Sequence, residues 1–131
     1  MKVLLFGKTG QVARELCDRP NVTAIDRNTA DFTDHKKVLE IIQSTDADII
    51  INTVAYTAVD QAEDNVRLAN IINGTTVTEI AQLAAKRDIP FLHISTDYVF
   101  KGNGNLNWKI GDATNPQNTY GRSKLIGEQG V

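Results

Sequence analysis

The sequence predicts an α/β fold in which a parallel, doubly wound sheet has helices on both faces. Strand-like and helix-like segments alternate along the chain, as expected for a parallel sheet covered by helices. The strand-like segments are continuous apolar runs, which is typical of strands buried on both sides. A glycine turn at residues 7–10 joins the first apolar run to a helical pattern. These three features indicate a Rossmann-like domain.

The first β-α-β unit occupies the start of the chain. The apolar run VLLFG at 3–7 is predicted to be the first strand, and a helix follows over about 11–18. Pro20 and Asn21 interrupt the helical pattern and end this helix. The segment VTAID at 22–26 is then the second strand.

A second helix and the strongest strand pattern come next. Asp34 is predicted to cap a helix whose apolar residues recur at helical spacing, at positions 38, 39, 41 and 42. The segment DIIINTVA at 48–55 is predicted to be a strand, because its three consecutive isoleucines are apolar and β-branched. The short segment ADF at 30–32 is a weaker candidate for a fifth strand.

A long helix, another strand and a final helix complete the pattern. Apolar residues at helical spacing predict a helix over about 66–87, although Gly74 weakens its continuity. The segment FLHIST at 91–96 is predicted to be a buried strand that contains His93 in its interior. Residues 101–118 are rich in Gly, Asn and Pro and predict a loop, after which a helix begins near Thr119.

Length and composition fit one incomplete domain. The chain has 131 residues, a net charge of −2 and scattered basic residues, so nothing favours a nucleic-acid or membrane partner. Four clear strands are fewer than the roughly six of a full doubly wound sheet of this type, so we expect residues 1–131 to be the first part of something larger. The single cysteine, Cys17, fits a reducing, cytoplasmic location, and no Cys/His spacing suggests a metal site. The sequence leaves open whether the protein forms a homo-oligomer.

The glycine turn has a pattern that suits a dinucleotide phosphate. Gly7, Gly10 and Ala13 form G-x-x-G-x-x-A, in which Gly7 permits a tight turn and Gly10 lets the backbone approach a pyrophosphate. Asp26 ends the second strand 19 residues after Gly7, where an acid that binds a ribose hydroxyl is expected. Asp26 favours NADH and the adjacent Arg27 favours NADPH, so both cofactors stay open. The alternative interpretation is that residues 7–10 only form a turn between a strand and a helix and that Asp26 is a solvated acid without a ligand.

Polar residues with possible roles in proton transfer occur in two later segments. Thr96, Asp97 and Tyr98 follow a predicted strand at the sheet edge where ligands bind in open α/β sheets. Tyr120 and Lys124 are four residues apart and share a face if their segment is helical. Thr96 could bind a carbonyl oxygen, Tyr120 could donate a proton to it, and the charge of Lys124 could make that phenol more acidic. A surface pair of Tyr120 and Lys124 is the simpler alternative.

These residues resemble the dTDP-4-dehydrorhamnose reductases, members of the extended short-chain dehydrogenase/reductase superfamily. The resemblance covers nearly the whole chain and rests on LLFGKTGQV (4–12), AYTAVDQAE (55–63), STDYVF (95–100) and YGRSK (120–124). The second and third segments are the more selective ones. The resemblance implies reduction of the 4-keto group of dTDP-4-dehydro-6-deoxy-L-mannose by NADPH or NADH, which gives dTDP-L-rhamnose. It also implies that residues 1–131 are a truncated NAD(P)-binding domain that lacks its C-terminal strands and substrate domain.

The resemblance also implies a role for particular residues. The catalytic triad would be Thr96, Tyr120 and Lys124, and the substrate side would be Thr96, Asp97 and Tyr98. The implied cofactor-binding residues are Gly7, Thr9, Gly10, Gln11, Val12, Asp26, Arg27, Asp31, Phe32, Ala55, Tyr56, Thr57, Tyr120 and Lys124. One branch of the superfamily is the regulatory subunit of methionine adenosyltransferase, so a non-catalytic NAD(P)-binding module is the main alternative, with another nucleotide-sugar epimerase or dehydratase a weaker one.

Overall fold

A computed structural model of the chain describes residues 1–103 and 107–131, and its centre is a four-stranded parallel sheet. The strands are β1 (Val3–Phe6), β2 (Val22–Ile25), β3 (Ile49–Asn52) and β4 (Phe91–His93). Their order across the sheet is β2-β1-β3-β4, and every pair is parallel. This order reverses direction at β1, so the ends of β1 and β3 border a crevice where open α/β sheets bind ligands.

Helices connect the strands and follow the last one. They are α1 (Gln11–Cys17), α2 (His35–Ser44), α3 (Val59–Asp64), α4 (Val66–Asn70), a π-helical turn (Ile71–Thr75), α5 (Thr76–Lys86), a 3₁₀ turn (Asp97–Val99) and α6 (Thr119–Gly130). Asp34 caps α2 as predicted, because its side chain accepts a hydrogen bond from the backbone of Lys37. Among the described residues, no helix has the length and apolar character that a membrane span requires.

The two sheet faces are covered differently. Leu4 and Phe6 of β1 pack with Ile50 of β3 against residues of α2 and α5, which form the main core together with the π turn. Leu5 points to the opposite face, since successive residues of a strand alternate, and α1 packs on β1 and β2 there. The predicted doubly wound α/β fold is therefore confirmed.

Several predicted elements differ in extent from the observed ones. The predicted helix over 66–87 is helical from 66 to 86, but a π turn that contains Gly74 interrupts its regular winding. The predicted fifth strand at 30–32 is wrong, because this segment is a turn region where Phe32 joins the core. The predicted strand at 91–96 ends at His93. Of the predicted loop, residues 104–106 lie outside the described part of the chain.

Candidate active site

The glycine turn after β1 leaves the sheet in a conformation that requires glycine. Gly7 has a φ of +109°, and a Cβ at this position would overlap the hydroxyl of Thr53 on the neighbouring strand end. Gly10 precedes α1 in an extended conformation, and no atom lies within 4 Å of the place that a Cβ would occupy. Gly7 thus satisfies a local packing demand, whereas the open space beside Gly10 is available to a bound molecule.

A cavity of about 480 Å³ lies beside this turn. Its walls come from the ends of three neighbouring strands, β1, β2 and β3. Most of the residues predicted to bind a cofactor line it. These are Gly7, Thr9, Gly10, Asp26, Arg27, Asp31, Phe32, Ala55, Tyr56 and Thr57.

A second cavity, of about 510 Å³, adjoins the first and extends towards α6. The two share wall residues, among them Gly10, Thr53 and Ala55, so together they form one groove across the ends of β1 and β3. The second cavity is lined by Tyr120 and Lys124, which shows that this pair faces the groove rather than bulk solvent. Gln11 and Val12, the remaining predicted cofactor residues, line it as well.

The acidic residues at the first cavity are held by local hydrogen bonds. Asp26 Oδ1 accepts bonds of 2.9 Å from both the backbone nitrogen and the hydroxyl of Thr29, and these bonds lower the pKa of the Asp26 carboxyl. Asp31 accepts from the backbone of Thr33 and pairs at 2.9 Å with Arg27, and its pKa is also lowered, chiefly by the Thr33 backbone bond. Both carboxylates therefore stay ionised near neutral pH.

Phe32 contributes to the cavity differently from its neighbours. Its ring is 2% exposed and packs edge-to-face on Phe6 with a 5.5 Å centroid distance. Its carbonyl accepts a hydrogen bond of 2.7 Å from the hydroxyl of Thr76. Phe32 is thus mainly a core residue that supports the cavity wall.

The predicted substrate residues lie between β4 and α6. Thr96 caps the 3₁₀ turn, its hydroxyl accepting a 3.3 Å hydrogen bond from the backbone nitrogen of Tyr98. The rings of Tyr98 and Tyr120 pack edge-to-face with centroids 5.5 Å apart. None of Thr96, Asp97 and Tyr98 lines either cavity. The structure therefore brings Tyr98 into contact with Tyr120 but does not place these three residues in the walls of the groove.

Lys124 is buried, although it carries an amine. It is 2% exposed, and its Nζ lies 3.1 Å from His93 Nε2 and 2.5 Å from the carbonyl oxygen of Ile94. Burial lowers the pKa of Lys124 to about 8, against a smaller raising effect from Glu128. Burial, and then the charge of Lys124, lower the pKa of His93 to about 4.

The prediction that His93 lies in the strand interior, away from the site, is wrong. His93 is the last residue of β4 and contacts Lys124 directly. The strand is shorter than predicted because residues 94–96 lie outside the ladder with β3, and the carbonyl of Ile94 accepts a hydrogen bond from the lysine instead. Polar groups contact both ring nitrogens, since Asn52 Nδ2 lies 3.1 Å from His93 Nδ1 on the side away from the lysine.

Asn73 links the two sides of the groove and was not predicted from the sequence. Its amide accepts a 2.7 Å bond from the backbone nitrogen of Tyr56 and donates a 3.0 Å bond to the carbonyl of the same residue. It also donates to the hydroxyl of Ser123 at 2.9 Å, and Ser123 donates to the carbonyl of Tyr120. An asparagine inside an apolar helical pattern was the available signal, because a buried amide requires partners.

Glu63 is a second link that sequence reasoning missed. Its carboxylate accepts bonds from the backbone nitrogen and the hydroxyl of Thr119, at 2.7 and 2.9 Å, where α6 begins.

Within the described residues, no group of three or more His, Cys, Asp or Glu could hold a metal ion.

The fold and the groove define a Rossmann-like α/β protein with a tyrosine–lysine pair on the helix after the fourth strand. Over residues 1–131 the sequence matches the family model described as the RmlD substrate binding domain, and the chain belongs to that family.

Curated relatives and solved structures agree with this assignment. The dTDP-4-dehydrorhamnose reductases of Salmonella typhimurium and Escherichia coli K12 are 42% and 44% identical, over 100% of this chain and 46% of theirs. Crystal structures of dTDP-4-dehydrorhamnose reductase from Bacillus anthracis, in complex with NADP, and from Clostridium acetobutylicum superpose with TM-scores of 0.92 and 0.90 at 34% identity, over 100% of this chain and 49% of each. The chain therefore spans about half the length of the curated relatives it matches.

Proposed function

We propose that this chain is the NAD(P)-binding part of a dTDP-4-dehydrorhamnose reductase. One observation carries the proposal: the groove that begins at the glycine turn also contains Tyr120 and Lys124. A nucleotide site and a proton donor with a neighbouring amine are the two parts that a carbonyl reductase requires. The names of the relatives supply the substrate class.

NADPH is the cofactor that we propose, with NADH as the alternative. The open space beside Gly10 and the cavity next to it suit a dinucleotide, and a similar structure contains NADP. Gly7, Thr9 and Gly10 would hold the pyrophosphate, and Arg27 would meet the 2′-phosphate. Ala55, Tyr56 and Thr57 would line the path to the nicotinamide. When bound, NADPH supplies the hydride for C4 of the sugar.

Tyr120 and Lys124 of α6, together with Thr96 of the 3₁₀ turn, then complete the reduction. Tyr120 would donate a proton to the oxygen that becomes negative at C4, and Thr96 would hold that oxygen with its hydroxyl. Lys124 would bind the nicotinamide ribose and assist the phenol when it is charged. Because negative charge grows on the oxygen only during the reaction, these donors stabilise the transition state more than the ketone.

The nucleotide-sugar site includes little of this chain in our proposal. Asp97 and Tyr98 would contact the sugar from the 3₁₀ turn, while most of the nucleotide pocket would belong to the half of the relatives that this chain does not cover. We therefore propose that the 131-residue chain alone has little or no reductase activity. A cytoplasmic location remains a prediction that rests on Cys17.

Turnover measurements on two forms of the protein test this proposal. NADPH consumption with dTDP-4-dehydro-6-deoxy-L-mannose is measured for the 131-residue chain and for a version extended to the length of the relatives. We expect turnover by the extended version and almost none by the short chain. An extended version that binds NADPH without turnover would contradict the reductase assignment and favour the regulatory module. Rapid turnover by the short chain would contradict its proposed dependence on a second half.

A further inference from the structure

Asn52 and His93 are neighbours across the sheet because of strand register. They are paired Cα partners, each at the last position of its strand, β3 and β4. Paired residues in parallel strands project to the same face, and this is the face on which α6 carries Lys124. Three polar side chains, those of Asn52, His93 and Lys124, thus form a row under the second cavity.

The orientation of the Asn52 amide is fixed by a backbone group. Asn52 Oδ1 accepts a 2.9 Å hydrogen bond from the backbone nitrogen of Val54. The opposite orientation would bring two donors together, so Nδ2 is the atom that faces the His93 ring. Nδ2 is only a donor, and it lies 3.1 Å from His93 Nδ1. His93 Nδ1 is therefore the unprotonated nitrogen of the imidazole.

This tautomer decides what His93 presents to the lysine. A neutral imidazole without a proton on Nδ1 has its proton on Nε2. Nε2 lies 3.1 Å from Lys124 Nζ, which also donates at 2.5 Å to the Ile94 carbonyl. An ammonium has no lone pair and would face the Nε2 proton with a proton of its own. A neutral amine accepts from Nε2 and donates to the carbonyl, and so satisfies both contacts.

The surroundings of Lys124 agree with an uncharged amine. Burying an ammonium without an ion-pair partner is costly, and Lys124 is almost completely buried. Glu128 is the carboxylate that favours the charged form, and it lies one turn further along α6, where it accepts a 3.1 Å bond from the Ser95 hydroxyl. Tyr120 lines the same cavity. Burial lowers the pKa of Lys124 to about 8, so the neutral amine becomes the major form above that pH, and lowers the pKa of His93 to about 4, so the ring is already neutral there.

We propose that His93 is a positioning residue for Lys124, with Asn52 setting its tautomer so that the ring stabilises the neutral amine. The lysine then becomes charged only when the Nε2 hydrogen bond breaks or the ring changes tautomer. His93 thus limits the pH range over which Lys124 can assist Tyr120. This catalytic meaning rests on the proposed function, whereas the tautomer and the charge can be measured without turnover.

Nitrogen NMR on the 131-residue chain tests the tautomer directly. In ¹⁵N-labelled protein at about pH 9, above the Lys124 pKa of about 8, we expect His93 to show a protonated Nε2 and an unprotonated Nδ1 in long-range ¹H–¹⁵N spectra. A proton on Nδ1, or on both nitrogens, would overturn the proposal. The wild-type chain suffices for this measurement, so it does not depend on the folding of any variant.

Two substitutions test the link to the lysine charge. In His93→Gln an amide oxygen can accept from an ammonium, so the Lys124 ¹⁵Nζ signal should titrate at a pH higher by about one unit. In Asn52→Asp the donor becomes an acceptor, so the proton of His93 should move to Nδ1 and the Lys124 midpoint should rise as well. An unchanged Lys124 midpoint in His93→Gln would contradict the proposal.

Kinetics on the extended version separate this inference from the proposed function. Loss of rate at high pH should begin at a higher pH in His93→Gln than in wild type, with the KM for NADPH changed less than kcat. A purely structural role for His93 would lower the rate without moving the pH profile and would overturn the inference. If no form of the protein turned over, the reductase proposal would fail, while the NMR results would still decide the tautomer.

Discussion

Asp26 and Arg27 are adjacent residues that use their charges differently. One oxygen of the Asp26 carboxylate accepts hydrogen bonds from the backbone nitrogen and the hydroxyl of Thr29. The Arg27 side chain is 78% exposed and pairs with Asp31 at the rim of the first cavity. An exposed pair of this kind contributes little to stability, so Arg27 can turn towards a phosphate at small cost. This arrangement favours NADPH over NADH.

Removing Arg27 should change cofactor preference. We expect Arg27→Ala to raise the Kd for NADPH about tenfold, a loss of ~1.4 kcal/mol, and to leave the Kd for NADH nearly unchanged. Fluorescence titration with both cofactors measures this. Arg19→Ala, an exposed arginine beyond the end of α1, is the matched control. Equal losses for NADPH and NADH would show that Arg27 does not meet the 2′-phosphate.

The phenol of Tyr120 is the second residue with a separable role. In the extended version, Tyr120→Phe should lower kcat by roughly 10²–10⁴-fold because the proton donor is lost. The affinity for NADPH should stay within about twofold, since the ring and its contact with Tyr98 remain. Stopped-flow turnover and equilibrium titration give the two quantities. Unchanged turnover would remove Tyr120 from the acid role.

Individual residues differed in how far the sequence alone could define them. Gly7 and Gly10 were identifiable because two glycines at a fixed spacing between a strand and a helix form a local sequence pattern. Asn52 and His93 were not, because their contact depends on the register of two strands that are 41 residues apart. Register is decided by packing across the whole sheet, which local patterns do not contain.

At the scale of elements, α6 lies very close to the π turn. A Cβ at Gly127 would overlap the carbonyl oxygen of Asn73, and one at Gly74 would overlap the side chain of Ile126. Glycines on both elements thus let the two backbones approach closely. The position of Tyr120 relative to the groove is therefore set by backbone contact rather than by side chains alone.

An added methyl group should separate these elements. We expect Gly127→Ala to lower the free energy of unfolding by about 1–3 kcal/mol, because rigid backbone blocks the new atom. Denaturant unfolding followed by circular dichroism measures the change. The control is Gly10→Ala, where no atom obstructs the new Cβ, so stability should change little. A Gly127→Ala variant as stable as wild type would show that α6 can shift outwards freely.

The start of α6 is tied to α3 by a carboxylate. Hydrogen bonds from the backbone and hydroxyl of Thr119 lower the pKa of Glu63 below its ordinary 4.5. A carboxyl with a lowered folded-state pKa stabilises the fold above the unfolded value and loses this effect as pH falls through the folded value. The connection between the two helices should therefore weaken only in acid.

Glu63→Gln should reveal this dependence. Near pH 7 the variant should be less stable than wild type, and the difference should shrink as the pH falls below 4.5 and through the lowered folded-state pKa of Glu63. Thermal unfolding across that pH range measures the difference. Asp60→Asn, which changes another acid of α3, serves as control. A stability difference that is constant with pH would show that the charge of Glu63 is irrelevant.

Element boundaries were predicted less well than element types. The helical pattern over 66–87 was detectable because apolar residues recur along it, but the π turn adds a residue that a regular period does not show. Helix α3 was not predicted, since its sequence VDQAED has a single fully buried residue, Ala62. Its contacts come from Glu63 and the distant helix α6, and so only the folded chain reveals them.

At the scale of the molecule, the sheet is covered unevenly. Residues of β1 and β3 that face α2 and α5 are buried, whereas Leu92 on the other face of β4 is 47% exposed. Among the described residues β4 pairs with β3 alone, so its other edge is open. Apolar side chains on an open edge strand favour association between chains. We therefore predict that the 131-residue chain, studied on its own, can associate through this edge.

A polar residue on this edge should reduce association. We expect Leu92→Thr to shift the chain towards monomer in sedimentation velocity, with little change in melting temperature, because the side chain is half exposed. Val66→Thr is the control, since Val66 is similarly exposed but lies on helix α4. Equal behaviour of the two variants would show that the edge of β4 is not the contact.

The π turn at Ile71–Thr75 determines where Asn73 points. Deleting one residue there would restore a regular α-helix, whose hydrogen bonds are better than those of a π turn. The deletion would also rotate Asn73 by about 100° relative to α5, away from Tyr56 and Ser123. A straight helix at this place would therefore lack the hydrogen bonds by which Asn73 connects Tyr56 with Ser123. The π turn therefore lowers the stability of the helix, but it places Asn73 where its hydrogen bonds hold Tyr56 on one wall of the groove at a fixed distance from Ser123 of α6 on the other.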